Sequence, residues 1–220
     1  MRSLPSRHLV VVSVGLLAGG AGYTFLPTDM PPSWSSQWGV FWLGRPMLAF
    51  LLPVAGAITF LMLRSLYSRQ ITESSAAARP LATYDALMFR VLLFLTAVHT
   101  AVIVALTGTL FGHSWVNRIV PALVGMTLVG VGNLLPRTEP NLAIGVRTLA
   151  TLTDRVVWKR THRLAGYLMV VLGAVILVAA TVFPAPVGSR AVLAVGPVAL
   201  LSIPALVMYA RRARARTSHA

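Results

Sequence analysis

The sequence predicts an all-α, polytopic membrane protein: a bundle of six transmembrane helices with both termini in the cytoplasm. Three observations carry this reading. Of 220 residues, 56% are hydrophobic and only 11% charged, a poor composition for a surface that faces water. Six apolar runs are long enough to cross a hydrocarbon core of ~30 Å, which takes about 20 helical residues. Nineteen bases against five acids leave a formal charge of +14, and sixteen of those bases fall in connections on one side of such a bundle. In a soluble chain this balance would suggest nucleic acid. Here the bases flank apolar runs, so the expected polyanion is the anionic headgroup layer at the inner face, with no direct nucleic-acid contact. With no cysteine, disulfides and thiolate chemistry are excluded.

The runs extend approximately from His8 to Pro27, Pro46 to Tyr67, Leu87 to Gly112, Val116 to Leu135, Thr161 to Phe183 and Ala191 to Ala210. The first follows Arg2 and Arg7 and contains small residues from Ala18 to Gly22, so a cleaved signal peptide competes with a span. Its apolar character continues through Phe25 and Leu26, which favours the span. Only Arg45, Arg118 and Arg190 fall on the outer side, and the positive-inside rule therefore puts both termini inside. Trp34, Trp38, Trp42 and Trp115 suit the outer interface, and Tyr67, Tyr84, Trp158, Tyr167 and Tyr209 the inner one. Residues 1–67 then form an N-terminal helix pair with an outer Trp/Pro-rich loop. Residues 68–83, with Ser74, Ser75 and Arg79-Pro80, read as a flexible cytoplasmic linker to a four-helix domain at 84–220 that ends in a basic tail.

The connection after the fourth run is different in character. Pro136 and Pro140 should stop that helix as it leaves the membrane, with Asn133 placed to cap its carbonyls. Leu142, Val146 and Leu149 recur at helical spacing, so this stretch could lie in the interface with Arg147 reaching phosphate. Thr153 is a plausible N-cap with Asp154 just beyond it, opening one helix from Asp154 to Phe183. Trp158 and His162 are four apart and share a face, as do Lys159 and Arg163. The first of these faces could bind a protein, a headgroup or the preceding loop.

Three short motifs occur here in order: Gly132-Asn133-Leu134-Leu135-Pro136-Arg137, then Pro140-Asn141-Leu142-Ala143-Ile144-Gly145-Val146-Arg147-Thr148, then Trp158-Lys159-Arg160-Thr161-His162-Arg163 with Gly166. Residues 132–166 in this respect resemble the signature of the SdpI family of bacterial integral membrane proteins. Leu26-Pro27-Thr28-Asp29-Met30-Pro31 is similar to the domain of unknown function that often precedes that signature. It departs from the pattern at Pro32-Ser33-Trp34 and in the shortened turn Ser35-Ser36-Gln37. The resemblance implies a non-enzymatic protein of the bacterial cell membrane, with no cofactor. Its name-giving member protects a producing cell from its own membrane-active peptide toxin and holds a transcriptional repressor at the membrane. A peptide toxin and a cytoplasmic repressor are the partners so implied. The residues carried over as signature or partner-binding positions are Asn133, Pro136, Arg137, Pro140, Asn141, Gly145, Arg147, Thr148, Trp158, Thr161, His162, Arg163 and Gly166.

Other chemistry is thinly represented. His162 with Glu139 and Asp154 invites a metal or acid/base site, but one histidine and two carboxylates without a paired-histidine motif are a weak ligand set, and no metal is expected. His99 is the only titratable residue near the middle of a span, a candidate for proton or ligand handling whose alternative is an interhelical hydrogen bond to Thr96, Thr100 or a carbonyl. With prolines at 53, 121, 197 and 204, it motivates the alternative of a small solute transporter or channel. The Gly15/Gly19 and Gly108/Gly112 pairs point to tight packing within one bundle, with homodimerisation as the other reading.

Overall fold

The computed structural model describes residues 6–26, 45–73, 78–107, 115–141 and 144–184, with scattered positions from 187 to 215. The elements are α1 (Ser6–Phe25), α2 (Arg45–Glu73), α3 (Ala78–Leu106), α4 (Val116–Leu134), a 3-10 turn (Leu135–Arg137), α5 (Leu149–Thr153) and α6 (Arg155–Val182). All the described elements are helical, and five of them are long and apolar enough to cross a membrane. The sixth predicted run, Ala191–Ala210, is described at scattered positions only. The outer loop with Trp34, Trp38 and Trp42, the Gly108/Gly112 pair and most of the basic tail lie outside the described residues.

The five long helices alternate in direction. Gly19 of α1 abuts the Ala49 backbone and Pro53 of α2, while His8 meets Phe60, so α1 and α2 are antiparallel. α1 and α3 run parallel: Arg7 pairs with Asp85, the Thr96 hydroxyl donates to the Val11 carbonyl at 3.2 Å, and Gly22 meets Ile103. The Gly15/Gly19 pair thus seats α1 between its two neighbours, as expected of packing within one bundle. α3 turns back into α4 around a core of Leu26, Ala49, Ile103, Ala105, Leu106 and Val116.

α4 packs extensively against α6. A methyl group added to Gly125 would lie 2.7 Å from the Gly173 carbonyl oxygen, and one added to Gly132 would lie 2.7 Å from that of Gly166. Each helix carries two glycines seven residues apart, and the pairs meet antiparallel. In lipid there is little hydrophobic force to drive helices together, so such backbone contact supplies the van der Waals packing instead.

Two boundaries differ from expectation. Residues 68–83 are mostly helix, since α2 continues through Glu73 and α3 begins at Ala78. Ala78 favours helix at the start of α3, and Pro80 falls within its first turn, where a missing N–H costs nothing. Asn133 lies inside the last turn of α4 and is exposed, while the Leu135 N–H donates to the Val131 carbonyl at the helix end.

The α4–α6 contact predicts a sharp contrast between glycines. Gly125→Ala should destabilise the protein by about 1–3 kcal/mol through overpacking. Gly20→Ala, where an added methyl meets nothing within 4 Å, should be neutral or slightly stabilising. Thermal unfolding of detergent-solubilised protein followed by circular dichroism measures both.

Candidate functional site: the connection between α4 and α6

After α4 the chain makes its 3-10 turn with Pro136 near the start, then becomes extended at Thr138. The buried Thr138 hydroxyl donates to the Leu135 carbonyl at 2.7 Å. Its carbonyl and hydroxyl oxygens in turn accept from the Trp158 indole N–H at 3.0 and 3.2 Å. Trp158 is fully buried, and this is the partner its polar edge requires there.

Asn141 organises the next turn. Its side-chain oxygen accepts from the Ile144 N–H at 2.8 Å, and its amide group donates to the Glu139 carbonyl at 2.8 Å and to Tyr84 Oη at 3.1 Å. Tyr84, from the start of α3, donates its own proton to the Glu139 carbonyl at 2.8 Å. The phenol therefore ties α3 to the connection.

Gly145 has φ of +116°, and a side chain there would collide with the His162 ring. Glycine is required on both counts. The next residue, Val146, donates its N–H to His162 Nε2 at 3.1 Å. His162 Nδ1 lies 2.9 Å from the Trp158 carbonyl, which only accepts, so Nδ1 carries the proton. The buried imidazole is thus held neutral, one nitrogen donating and the other accepting. Its ring stacks on Trp158 with centroids 3.8 Å apart and planes 15° from parallel. The Trp158/His162 face packs against the preceding loop.

Of the stretch expected to lie in the interface through Leu142, Val146 and Leu149, the described residues 144–148 are not helical, and Leu142 lies outside the described residues. Gly145 and the His162 contact break it. Helix starts only where Thr148 caps α5, accepting from the Thr151 N–H at 3.2 Å while the Thr151 hydroxyl accepts from the Thr148 N–H at 2.9 Å. Thr153 ends this short helix and does not cap α6. Asp154 is the cap, accepting from the Val156 and Val157 N–H groups at 2.8 and 3.1 Å. A carboxylate serves the positive end of a helix better than a hydroxyl does.

The candidate metal or acid/base trio does not converge. Glu139 forms a two-pronged pair with Arg155, at 2.7 and 2.8 Å, with Lys159 3.8 Å away. Asp154 is occupied as a cap, and His162 by Val146. Among the described residues no three His, Asp or Glu side chains gather as metal ligands would.

Of the remaining signature residues, Thr161 is buried and Gly166 sits against Gly132 and Pro136, whereas Arg137, Arg147 and Arg163 are exposed. His99 is distant from this group, buried on α3 with Nε2 lacking a hydrogen-bond partner among the described residues. The Thr96 and Thr100 hydroxyls donate to the Val11 and Thr96 carbonyls instead. Sequence reasoning treated Tyr84 as an interfacial anchor and missed its role as a strut. It also missed the Gly125/Gly132 and Gly166/Gly173 pairs, whose shared seven-residue spacing was the available signal.

Residues 137–210 match the SdpI/YfhL protein family. The chain is also 29% identical over 170 residues to "Immunity protein SdpI" of Bacillus subtilis (strain 168), a match covering 77% of this chain and 78% of that one. No solved structure matches. Together with five described helices long and apolar enough to cross a membrane, these similarities make this a multi-pass bacterial membrane protein.

The Glu139–Arg155 pair has a pH signature. Hydrogen bonding from Arg155 holds the Glu139 carboxyl below its ordinary value of 4.5. A depressed folded-state value means that the unfolded chain takes up the proton first, so the contribution is complete above that range and is lost as pH falls through the lowered value. Wild type and Glu139→Gln should therefore differ in thermal stability near neutrality and converge below pH 4.5.

Proposed function

We propose that this protein confers immunity to a membrane-active peptide toxin, with the connection between α4 and α6 passing the state of the bundle to the cytoplasm. The observation that carries the reading is the similarity to the Bacillus subtilis immunity protein over most of both chains. The geometry gives it a physical form. Tyr84 couples α3 to the connection, and beside it Asp85 pairs with Arg7 of α1 while His8 Nε2 lies 3.3 Å from the same carboxylate. A displacement of α1 or α3 by a toxin in the bilayer would thus reach Asn141 and the loop stacked on Trp158. Arg137, Arg147 and Arg163, exposed around that loop, are the groups a cytoplasmic regulator would meet.

In this reading Ala191–Ala210 is a sixth span and both termini are cytoplasmic. Two features support it: the described positions in that run are helical, and Leu206 packs with Leu135 and Ala165 at the end of the bundle that holds the connection. The absence of cysteine makes the orientation directly testable. Single cysteines introduced as Ser3→Cys and Ser218→Cys should resist a membrane-impermeant maleimide in intact cells and react in inverted vesicles. Labelling of either from outside would overturn the orientation.

Immunity itself is tested by survival of a sensitive bacterial host challenged with a panel of membrane-active peptides. Wild type should protect against at least one peptide, and well-expressed Arg147→Ala and His162→Ala variants should lose that protection. Sensitivity unchanged by wild type across the panel would reject the proposal.

A further inference from the structure

The lipid-facing side of α4 changes character near the signature. Ile119, Met126 and Asn133 recur every seven residues along one face and are all exposed. Two are apolar, as hydrocarbon requires, and the third is an amide in the last turn. Arg137, one turn further, is also exposed. Gly130 lies beside this face where α4 meets α3, and a methyl group added there would sit 3.1 Å from Arg90 Nε and 3.2 Å from its Cδ. The glycine makes room for the arginine to lie across the α3–α4 seam.

Arg90 is half-buried, and the hydrogen bond it makes is a long one, 3.3 Å from a terminal nitrogen to the Ala86 carbonyl. A guanidinium has five N–H donors, so most of this one's capacity is unused among the described residues. The nearby acids are committed elsewhere: Asp85 to Arg7, Glu139 to Arg155 and Asp154 to the start of α6. Among the described residues neither Arg90 nor Arg137 has a carboxylate partner. A charge at this depth of a membrane helix needs an anion or water, and long side chains reach toward the headgroups to find one.

The geometry points to a binding site for the headgroup of an anionic phospholipid in the α3–α4 seam, formed by Arg90, Asn133 and Arg137 over the gap left by Gly130. The phosphodiester lies at the end of the apolar Ile119–Met126 stripe, against which its acyl chain runs. The guanidinium of Arg90 supplies paired donors to the phosphate oxygens and Asn133 a neutral one. This gives the exposed amide of the first signature motif a ligand, and it stands independently of the immunity reading.

The test is native mass spectrometry of purified protein with phosphatidylglycerol against phosphatidylcholine, with thermal unfolding as the check on folding. Wild type should retain phosphatidylglycerol in preference. Loss of a charge-assisted hydrogen bond in Arg90→Gln should weaken that retention about tenfold. Arg118→Gln, an exposed arginine in the first turn of α4 at the opposite end from Asn133, should leave it unchanged. Asn133→Leu, on the exposed face, removes the amide without disturbing packing and serves if Arg90→Gln does not fold. No preference by wild type, an equal loss in Arg118→Gln, or full retention by folded Asn133→Leu would each overturn the site.

Discussion

The backbone contact between α4 and α6 is the constraint on which the rest of the described structure depends. Two glycines on each helix, seven residues apart, allow carbonyl oxygens to approach where any side chain would intrude. That closeness holds the end of α4 beside the beginning of α6, so the connection has little volume to occupy and must fold against the helix pair. Trp158 and His162 fill that volume from α6, and Thr138 and Val146 meet them from the connection. A wider separation would leave the indole N–H without the Thr138 oxygens and the imidazole without Val146.

A connection at the membrane boundary has to satisfy its backbone without regular structure, and this one does so largely with short polar side chains. Asn141, Thr148, Thr151 and Asp154 each close a turn or begin a helix, and Tyr84 closes one from another element. In a medium of low dielectric each such bond left unmade would cost more than in water. These residues are consequently consumed by architecture. The exposed arginines, Arg137, Arg147 and Arg163, are what the arrangement displays at this end of the protein.

Much of this was legible in the sequence because it follows from composition and periodicity. Apolar runs located the five described spans to within a few residues at most ends, and Pro136 and Pro140 located the break after α4. The pairing of Trp158 with His162 followed from their spacing. What the sequence concealed was long-range. Tyr84 and Asn141 are 57 residues apart and nothing local announces their bond. The helical spacing of Leu142, Val146 and Leu149 was a true periodicity that a positive φ at Gly145 overrides, a case of one backbone requirement defeating a pattern. Thr153 and Asp154 were both reasonable caps, and only the coordinates distinguish neighbours whose preferences are so similar.

The three bases that the charge count leaves at the far end bear on orientation, since each could be taken as evidence against it. Two of them have structural work that explains their position. Arg45 donates to the Tyr23 and Thr24 carbonyls at 2.6 and 3.1 Å, and lies over the Tyr23 ring. Arg118 reaches the Thr181 carbonyl at 3.4 Å. Tyr23 and Thr24 are in the last turn of α1 and Thr181 is in the last turn of α6, so each arginine meets the negative end of a helix dipole and carbonyls that lack helical partners. Both helices end at the face opposite the signature, and a cation placed there neutralises a local field whichever way the membrane is crossed. Arg45 and Arg118 thus answer to helix ends. Bases with structural partners occur at the signature face too, where Arg7 meets Asp85 and Arg155 meets Glu139, but there the partners are carboxylates of the protein, whereas at the far face they are the carbonyl ends of α1 and α6, so the helix dipole alone accounts for these two exceptions.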